Sequence, residues 1–282
     1  MTDLVNYRGK RAVVTGCFSG MGEATARLLL KLGAEVHGLD FKDCTLPMAS
    51  FTRVDLRDPD SIHAAAKKIG EKSRDRVDAL FNCAGLPQTF PPVEVMKVNY
   101  GGTRFLTERL LIYMQNGSAI VNVASTAGFG WSRKMPVIMQ LLKINDYAEA
   151  VKWCEDNLET VGEGYSFSKE CMIVWTQMMA AHWIQRGIRL NCTLPGPTQT
   201  PMMKEFESKS AASVIAAATQ PINRRSTAEE QAGPLVFLNS DAASYINGAV
   251  LPVDGGFIGG VSTGQVDLSA MLAAAASANK RS

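Results

Sequence analysis

The chain reads as an α/β protein: a doubly wound parallel sheet of the Rossmann kind, in a single domain with helices on both faces. Three observations predict it. Short, near-continuous apolar runs alternate with helical patterns along the chain, as they do when parallel strands are buried on both faces. A glycine-rich stretch stands between the first strand and the first helix, where such sheets bind ligands. The 282 residues, 46% hydrophobic and 20% charged, supply core for one large domain, and no Pro/Ser-rich linker or internal repeat divides them.

The elements follow in order. "RAVVTG" (11–16) predicts the first strand and "GEATARLLLKLG" (22–33) the first helix. "EVHGLD" (35–40) and "ASFTRVDL" (49–56) are the next strands. Only 14 residues separate Asp40 from Asp55, too few for a full crossover helix, so a loop or a single turn is expected there. "DSIHAAAKKIGE" (60–71) is helical, and "VDALFNCAG" (77–85) and "SAIVNVAS" (118–125) are strands. A long segment, 126–164, precedes the helix "YSFSKECMIVWTQMMAAHWIQRG" (165–187). Strands "IRLNCTLPG" (188–196) and "AVLPVDGG" (249–256) close the domain, which spans 1–258. The Ala- and Ser-rich tail, 259–282, is a frayed or helical terminus.

Composition removes several function classes. A net charge of +2 with scattered Lys and Arg gives no electrostatic footprint for nucleic acid. "MTDLVNYRGKRAVV" turns polar at once, unlike a secretory signal. Apolar windows such as "MIVWTQMMAAHWI" are too short and too broken to span a bilayer. Six cysteines, Cys17, Cys44, Cys83, Cys154, Cys171 and Cys192, form no CxxC pair. They read as reduced thiols of a cytoplasmic protein, and no metal site is assigned.

"VVTGCFSGMGEAT" carries Gly16, Gly20 and Gly22 between strand and helix. Glycines there let the backbone turn tightly and approach a pyrophosphate, while the helix N-terminus offers free N–H groups and a favourable dipole. Cys17, Ser19 and Met21 belong to the same loop. Asp40 ends the second strand, where a carboxylate accepts the adenosine ribose hydroxyls and repels a 2′-phosphate. Ser19 stands where an NADP-binding loop often carries Arg or Lys, whereas Lys42 could reach a phosphate. The balance predicts NAD. Asp55 and Leu56, in "RVDL", end another strand beside the adenine. "FNCAG", with Asn82, Ala84 and Gly85, makes a small-residue turn open to close backbone approach.

Four residues then assemble a reaction. Ser125 ends the strand "AIVNVAS", Asn99 lies early in a helix before it, and Tyr165 and Lys169 sit one turn apart. Hydride transfer to a carbonyl leaves negative charge on oxygen, and a proton must reach it. A phenol ordinarily titrates near 10, too high to cycle easily at neutral pH. The adjacent Lys169 ammonium and a positive nicotinamide ring are expected to bring Tyr165 down. Lys169 would also bond the nicotinamide ribose, Ser125 would hold the substrate oxygen, and Asn99 would support a water leading from Lys169 to solvent.

With "TGCFSGMG", "NCAG", Asn99, Ser125 and "YSFSK" in this order, the sequence resembles the short-chain dehydrogenase/reductase superfamily over roughly residues 8–258. "PGPTQT" (195–200) resembles the family's PG motif. That likeness implies that Pro195 and Gly196 flank the nicotinamide and that Thr198 and Thr200 bond its carboxamide or a phosphate. Cys83 departs from the second asparagine of the family's NNAG motif. The forty-residue spacing of Ser125 and Tyr165, against about a dozen in the family, and the short connection after Asp40 resemble a narrower group. This is the bacterial 3α-hydroxysteroid dehydrogenase/carbonyl reductases and their coniferyl alcohol relatives.

Within 126–164 two helices are predicted, one with Tyr147, Val151, Cys154 and Leu158 along a face. They would pack on the body, modify the contacts of a homodimer or homotetramer, or cap the substrate entrance. Residues 197–225 would form a mobile lid. Leu86, Pro87, Trp131, Met202, Met203 and Phe206 would offer apolar contact to a hydrophobic alcohol or ketone. The leading function is thus an NAD-dependent oxidoreductase of hydrophobic secondary or aromatic alcohols, steroid or phenylpropanoid. A catalytically silent dinucleotide sensor or scaffold needs no proton donor, so four filled catalytic positions argue against it. A lyase or epimerase is disfavoured because few residues follow Gly196.

Overall fold

Seven strands of a single sheet run parallel in the order β3-β2-β1-β4-β5-β6-β9. They are β1 (Arg11–Thr15), β2 (Glu35–Asp40), β3 (Ser50–Arg53), β4 (Val77–Asn82), β5 (Met114–Val123), β6 (Arg189–Pro195) and β9 (Val250–Val253). Two short strands, β7 (Thr198–Gln199) and β8 (Ser226–Thr227), pair separately. This computed structural model describes residues 4–210 and 212–267. The order reverses between β1 and β4, and the crevice beyond their carboxyl ends is where ligands bind in such sheets.

Helices cover both faces. α1 (Gly20–Lys31) packs against α11 (Ala228–Asn239) on one side, over a core that includes Leu29, Val36, Phe81 and Leu235. On the other lie α2 (Pro59–Lys72), α4 (Thr103–Leu110) and α8 (Tyr165–Trp183), around Ile62, Leu80, Leu106 and Trp175. α8 is buried continuously from Phe167 to Thr176, because it lies between the sheet and the segment that follows Ser125. Hence its sequence reads apolar all round instead of striped.

Differences from the sequence pattern have physical causes. β5 starts at Met114, earlier than expected, behind exposed polar residues 115–117 that mask its period. β4 and β9 stop at Asn82 and Val253, since the residues beyond β4 leave the ladder for the crevice and Asp254 turns to accept from Gly256 N and Ile258 N. Residues 41–49 contain no helix. Cys44, Leu46 and Met48 supply the apolar cover there.

The 126–164 segment forms a 3₁₀ stretch (Thr126–Lys134) and then α5 (Met135–Leu142), α6 (Tyr147–Asp156) and α7 (Leu158–Val161). Tyr147 and Cys154 are buried, but Leu158 is 51% exposed. The expected four-residue face breaks because the chain turns at Asn157 (φ −123°, ψ 38°) and Leu158 opens a separate helix. Beyond the sheet, α12 (Phe257–Ser262) and Val266 pack on the main core, so ordered packing continues past residue 258. The remaining tail, 268–282, lies outside the described residues. All six cysteines are free thiols, and no helix among the described residues is long and apolar enough to cross a membrane.

One buried titratable group lies far from the crevice. His37 on β2 is 1% exposed, with Nδ1 2.8 Å from Ser50 Oγ and Nε2 3.4 Å from Glu35 Oε1. Burial lowers it from its ordinary value of 6.5 despite Glu35. A group depressed in the folded state contributes stability above its unfolded value, and loses it as pH falls through the folded one. The protein should therefore lose more stability between about pH 7 and 5 than a His37→Asn variant does. Urea midpoints of both proteins at several pH values measure this, and parallel curves would refute it.

Candidate active site

The crevice exists because glycines clear it. Gly16 (φ +70°) passes so near the turn after β4 that a Cβ would lie 2.8 Å from Ala84 N and Cα. Thr15 Oγ1 locks this approach by accepting from Cys83 N and Ala84 N, both at 3.1 Å. At Gly20 (φ +61°) a Cβ would meet the Thr200 methyl at 3.2 Å. α1 begins there, and its N-cap Ser19 makes no side-chain cap. The first-turn amides are left for an anion.

A groove of about 480 Å³ runs across these turns. Gly16, Ser19, Asp40, Asp55 and Leu56 line one stretch of it, and Ala84, Gly85, Leu86, Pro87 and Met202 the other. Asp40 Oδ2 accepts from Phe18 N at 3.0 Å and Oδ1 from Lys42 N at 2.9 Å. These two bonds hold the carboxylate at the groove wall with lone pairs to spare. The Lys42 ammonium lies 5.3 Å from the Phe18 ring centroid. The groove suits a dinucleotide: backbone cleared of Cβ atoms at the centre, an uncapped helix N-terminus, and a fixed carboxylate at one end.

Several predicted residues face elsewhere. Cys17 is fully buried and Met21 packs on the α1-side core, so only their backbone can serve the loop. Asn82 Nδ2 donates to Thr107 Oγ1 at 2.9 Å and to Asn122 Oδ1 at 2.8 Å, a buried network that turns this side chain away from the groove. Asp55 lines the groove, yet both its oxygens already accept from Arg57: Nε at 2.9 Å, Nη2 at 2.7 Å and the backbone N at 2.9 Å. Thr198 spends its hydroxyl on Gly196 O and Ser226 Oγ, each at 2.9 Å. Pro195 is buried within β6, and Gly196 borders a second cavity and does not line the groove. Gly22 is buried under Gly16. Trp131 packs on the main core and does not line the groove, and Met203 is buried beneath its own helix.

Pattern reading missed four aromatic and charged walls of the groove: Phe18, Phe41, Arg57 and Phe90. Phe41 follows Asp40 directly, and an aromatic residue bordering a strand-end carboxylate was the available signal. Its ring lies 5.7 Å from the Arg53 guanidinium carbon and 5.5 Å from that of Arg57.

Three elements bring the four predicted residues together. Ser125, two residues past the end of β5, is nine-tenths buried and caps the 3₁₀ stretch that follows, its Oγ accepting from Ala127 N at 3.1 Å. α8 starts at Tyr165. The Lys169 ammonium, one turn on, lies 5.6 Å from the Tyr165 ring centroid and donates to Val123 O at 2.8 Å. Asn99 sits in a π-helical turn, Lys97–Gly102, that follows α3 (Pro92–Met96). Its amide clamps the groove wall: Oδ1 accepts from Leu86 N at 2.7 Å, and Nδ2 donates to Leu86 O at 3.0 Å. Nδ2 also lies 3.3 Å from Ser168 Oγ. The Asn99 side chain is thus committed to Leu86, which leaves only its backbone for a water.

The electrostatics correct one expectation. Burial raises the Tyr165 phenol above 10, the Ser125 hydroxyl pulls it back, and Glu163 pushes it up. Lys169 over the ring face does not bring the phenol below its ordinary value. Burial also brings Lys169 down to about 8, so near neutral pH the ammonium keeps most of its charge.

α9 (Pro201–Lys209), which begins after Thr200, lies against Tyr165. Phe206 meets Tyr165 edge-on at 4.9 Å between centroids. Ser210, just past the helix, accepts from Gln88 Nε2 at 3.2 Å.

Comparisons with known proteins accord with this layout. A family model described as short chain dehydrogenase matches residues 10–137, and one described as Enoyl-(Acyl carrier protein) reductase matches 155–258. The stretch between them falls within α5 and α6. The coniferyl-alcohol dehydrogenase of Pseudomonas sp. (strain HR199 / DSM 7063) is 37% identical over 88% of this chain and 96% of its own. The 3-alpha-hydroxysteroid dehydrogenase/carbonyl reductase of Comamonas testosteroni is 31% identical over 86% and 95%. Among solved structures, the 3-alpha-hydroxysteroid dehydrogenase from Pseudomonas sp. B-0831 complexed with NADH superposes with a TM-score of 0.75 at 28% identity, covering 90% of this chain and 98% of that one. A Beutenbergia cavernae protein with NADP bound at low occupancy gives 0.70 at 28%, covering 91% and 99%.

Proposed function

The chain belongs to the short-chain dehydrogenase family, and from that premise we propose an NAD-dependent oxidoreductase that interconverts a hydrophobic secondary or aromatic alcohol and its carbonyl. The family places it among oxidoreductases that bind a nicotinamide dinucleotide and act on alcohols. The finer reading is carried by one observation: α8 sets Lys169 one turn from Tyr165 with its ammonium 5.6 Å from the ring centroid, and Phe206 packs edge-on against the same ring.

The residues divide the work. The bound cofactor supplies the hydride acceptor or donor and, when oxidised, a positive charge. Ser125 holds the substrate oxygen through the proton its hydroxyl can still donate, having accepted from Ala127 N. Tyr165 takes the alcohol proton as phenolate or returns it as phenol. Lys169, charged near neutral pH, opposes the burial that disfavours the phenolate. Asn99 keeps Leu86 in place at the groove wall beside them. α9 excludes water, which strengthens each of these interactions.

The substrate faces Leu86, Pro87, Phe90 and Met202, with the Phe206 ring across from the phenol. Apolar and aromatic walls favour a hydrophobic cyclic or aromatic alcohol over a polyol. A screen for NAD reduction over steroid, terpenoid and aromatic alcohols tests this, and activity confined to sugar alcohols would refute it.

NAD is favoured over NADP by the fixed Asp40 carboxylate, which a 2′-phosphate would approach at close range. The ratio of kcat/KM for NAD to that for NADP should exceed about tenfold, as repulsion of at least 1.4 kcal/mol implies. Asp40→Ser should bring the ratio towards one, because Lys42, which lines the same wall, then faces the phosphate unopposed. A wild-type preference for NADP would overturn the assignment.

A further inference from the structure

The α5–α6 insertion reaches the far end of the groove through a single hydroxyl. Tyr147, the first residue of α6, is buried, and its Oη stands 3.3 Å from Leu56 O and 3.1 Å from Arg57 O. Its ring rests 5.3 Å from Phe105 and against Gly101, where a Cβ would come within 3.4 Å. The two carbonyls belong to the turn after β3 that walls the adenine end of the groove. In that turn Arg57 forks onto both Asp55 oxygens, stacks near Phe41 and lies 3.7 Å from Glu94. The Leu56 carbonyl has no room to drift toward the π-helical turn, since a Cβ on Gly102 would fall 2.0 Å from it. A buried phenol therefore holds this turn from behind, at carbonyls that would otherwise lack a donor on that side.

We propose that α6 positions the adenine half of the dinucleotide, with Tyr147 Oη fixing the Leu56–Arg57 backbone and thereby the Asp55–Arg57–Phe41 wall. Tyr147 is a positioning residue that touches neither cofactor nor substrate. The insertion thus serves cofactor recognition without lining the groove itself. This inference rests on the dinucleotide reading of the groove.

ADP-ribose, which carries the adenine half without the nicotinamide, is the probe. Titration calorimetry should show Tyr147→Phe binding it at least about threefold more weakly than wild type, with about tenfold as the ceiling because the wall can lose no more than the net value of one hydrogen bond. Thermal unfolding of the unliganded proteins separates this from a structural effect. A lowered melting point with unchanged ADP-ribose affinity would mean that the hydroxyl only supports the fold, and would overturn the inference. A second measurement needs no variant: ADP-ribose should slow amide exchange in residues 147–156 of the wild-type protein, although α6 lies outside the groove. Unchanged exchange there would also overturn it. Should wild type fail to bind ADP-ribose, the dinucleotide reading itself falls and takes the inference with it. Binding by wild type with an unaffected variant removes the inference alone.

Discussion

Tyr165→Phe should cut turnover by about 10²- to 10⁴-fold, the range that positioned proton transfer contributes, while NADH affinity stays near that of wild type. The substitution removes one oxygen and keeps the ring that packs against Phe206, so lid and groove should persist. Stopped-flow turnover and NADH fluorescence titration separate the two effects. A variant within about threefold of wild type would show that another group moves the proton.

The pH dependence follows from the same site. Alcohol oxidation needs the phenolate, and burial raises the unliganded phenol above its ordinary value. Oxidation should therefore accelerate with rising pH through the alkaline range, whereas carbonyl reduction needs the phenol and should decline there. Ser125 pulls the phenol down, so Ser125→Ala should move the oxidation profile to higher pH as well as slow it. A profile that keeps its midpoint in that variant would break the link between the two hydroxyls.

The residues that could be found by reading were those at strand ends. Parallel strands buried on both faces are apolar to their last residue, so a polar side chain closing the run, such as Asp40 or Ser125, stands out. Direction within an element was harder to see. Asn82 also ends a strand, but the alternation of side chains along β4 turns it toward Thr107 and Asn122. Those partners come from elements far along the chain, and nothing near residue 82 announces them. Asn99 was legible as a helical amide, but its clamp on Leu86 depends on the π-helical turn that presents it. Tyr147 was legible only as one member of an apolar face. Its hydroxyl bonds to backbone carbonyls about ninety residues earlier, and backbone atoms leave no mark in sequence.

Gly22→Ala pits a local preference against a tertiary one, and the tertiary one should win. Gly22 is in the first turn of α1 with ordinary helical backbone, where Ala is favoured by about 1 kcal/mol. Its Cβ, however, would stand 2.1 Å from Gly16 O, 2.6 Å from Gly16 C and 3.0 Å from Thr15 O. All three are backbone atoms, so no rotamer change relieves the overlap. α1 must move off β1, or Gly16 must leave the turn that carries it past Ala84. Either shift disturbs the helix N-terminus and the glycine-cleared centre of the groove together. A destabilisation of about 3 kcal/mol or more is expected, at or beyond the usual range for overpacking. That corresponds to a melting point lower by roughly 6–12 °C in a domain of this size. NADH binding should weaken even at temperatures where the variant is folded. Gly259→Ala is the control: it lies inside α12 with nothing within 4 Å of its Cβ position, so helix preference acts unopposed and stability should hold or rise slightly. If Gly22→Ala instead behaved like Gly259→Ala, keeping both its melting point and its NADH affinity, the close approach of α1 to β1 could not be what shapes the pyrophosphate site.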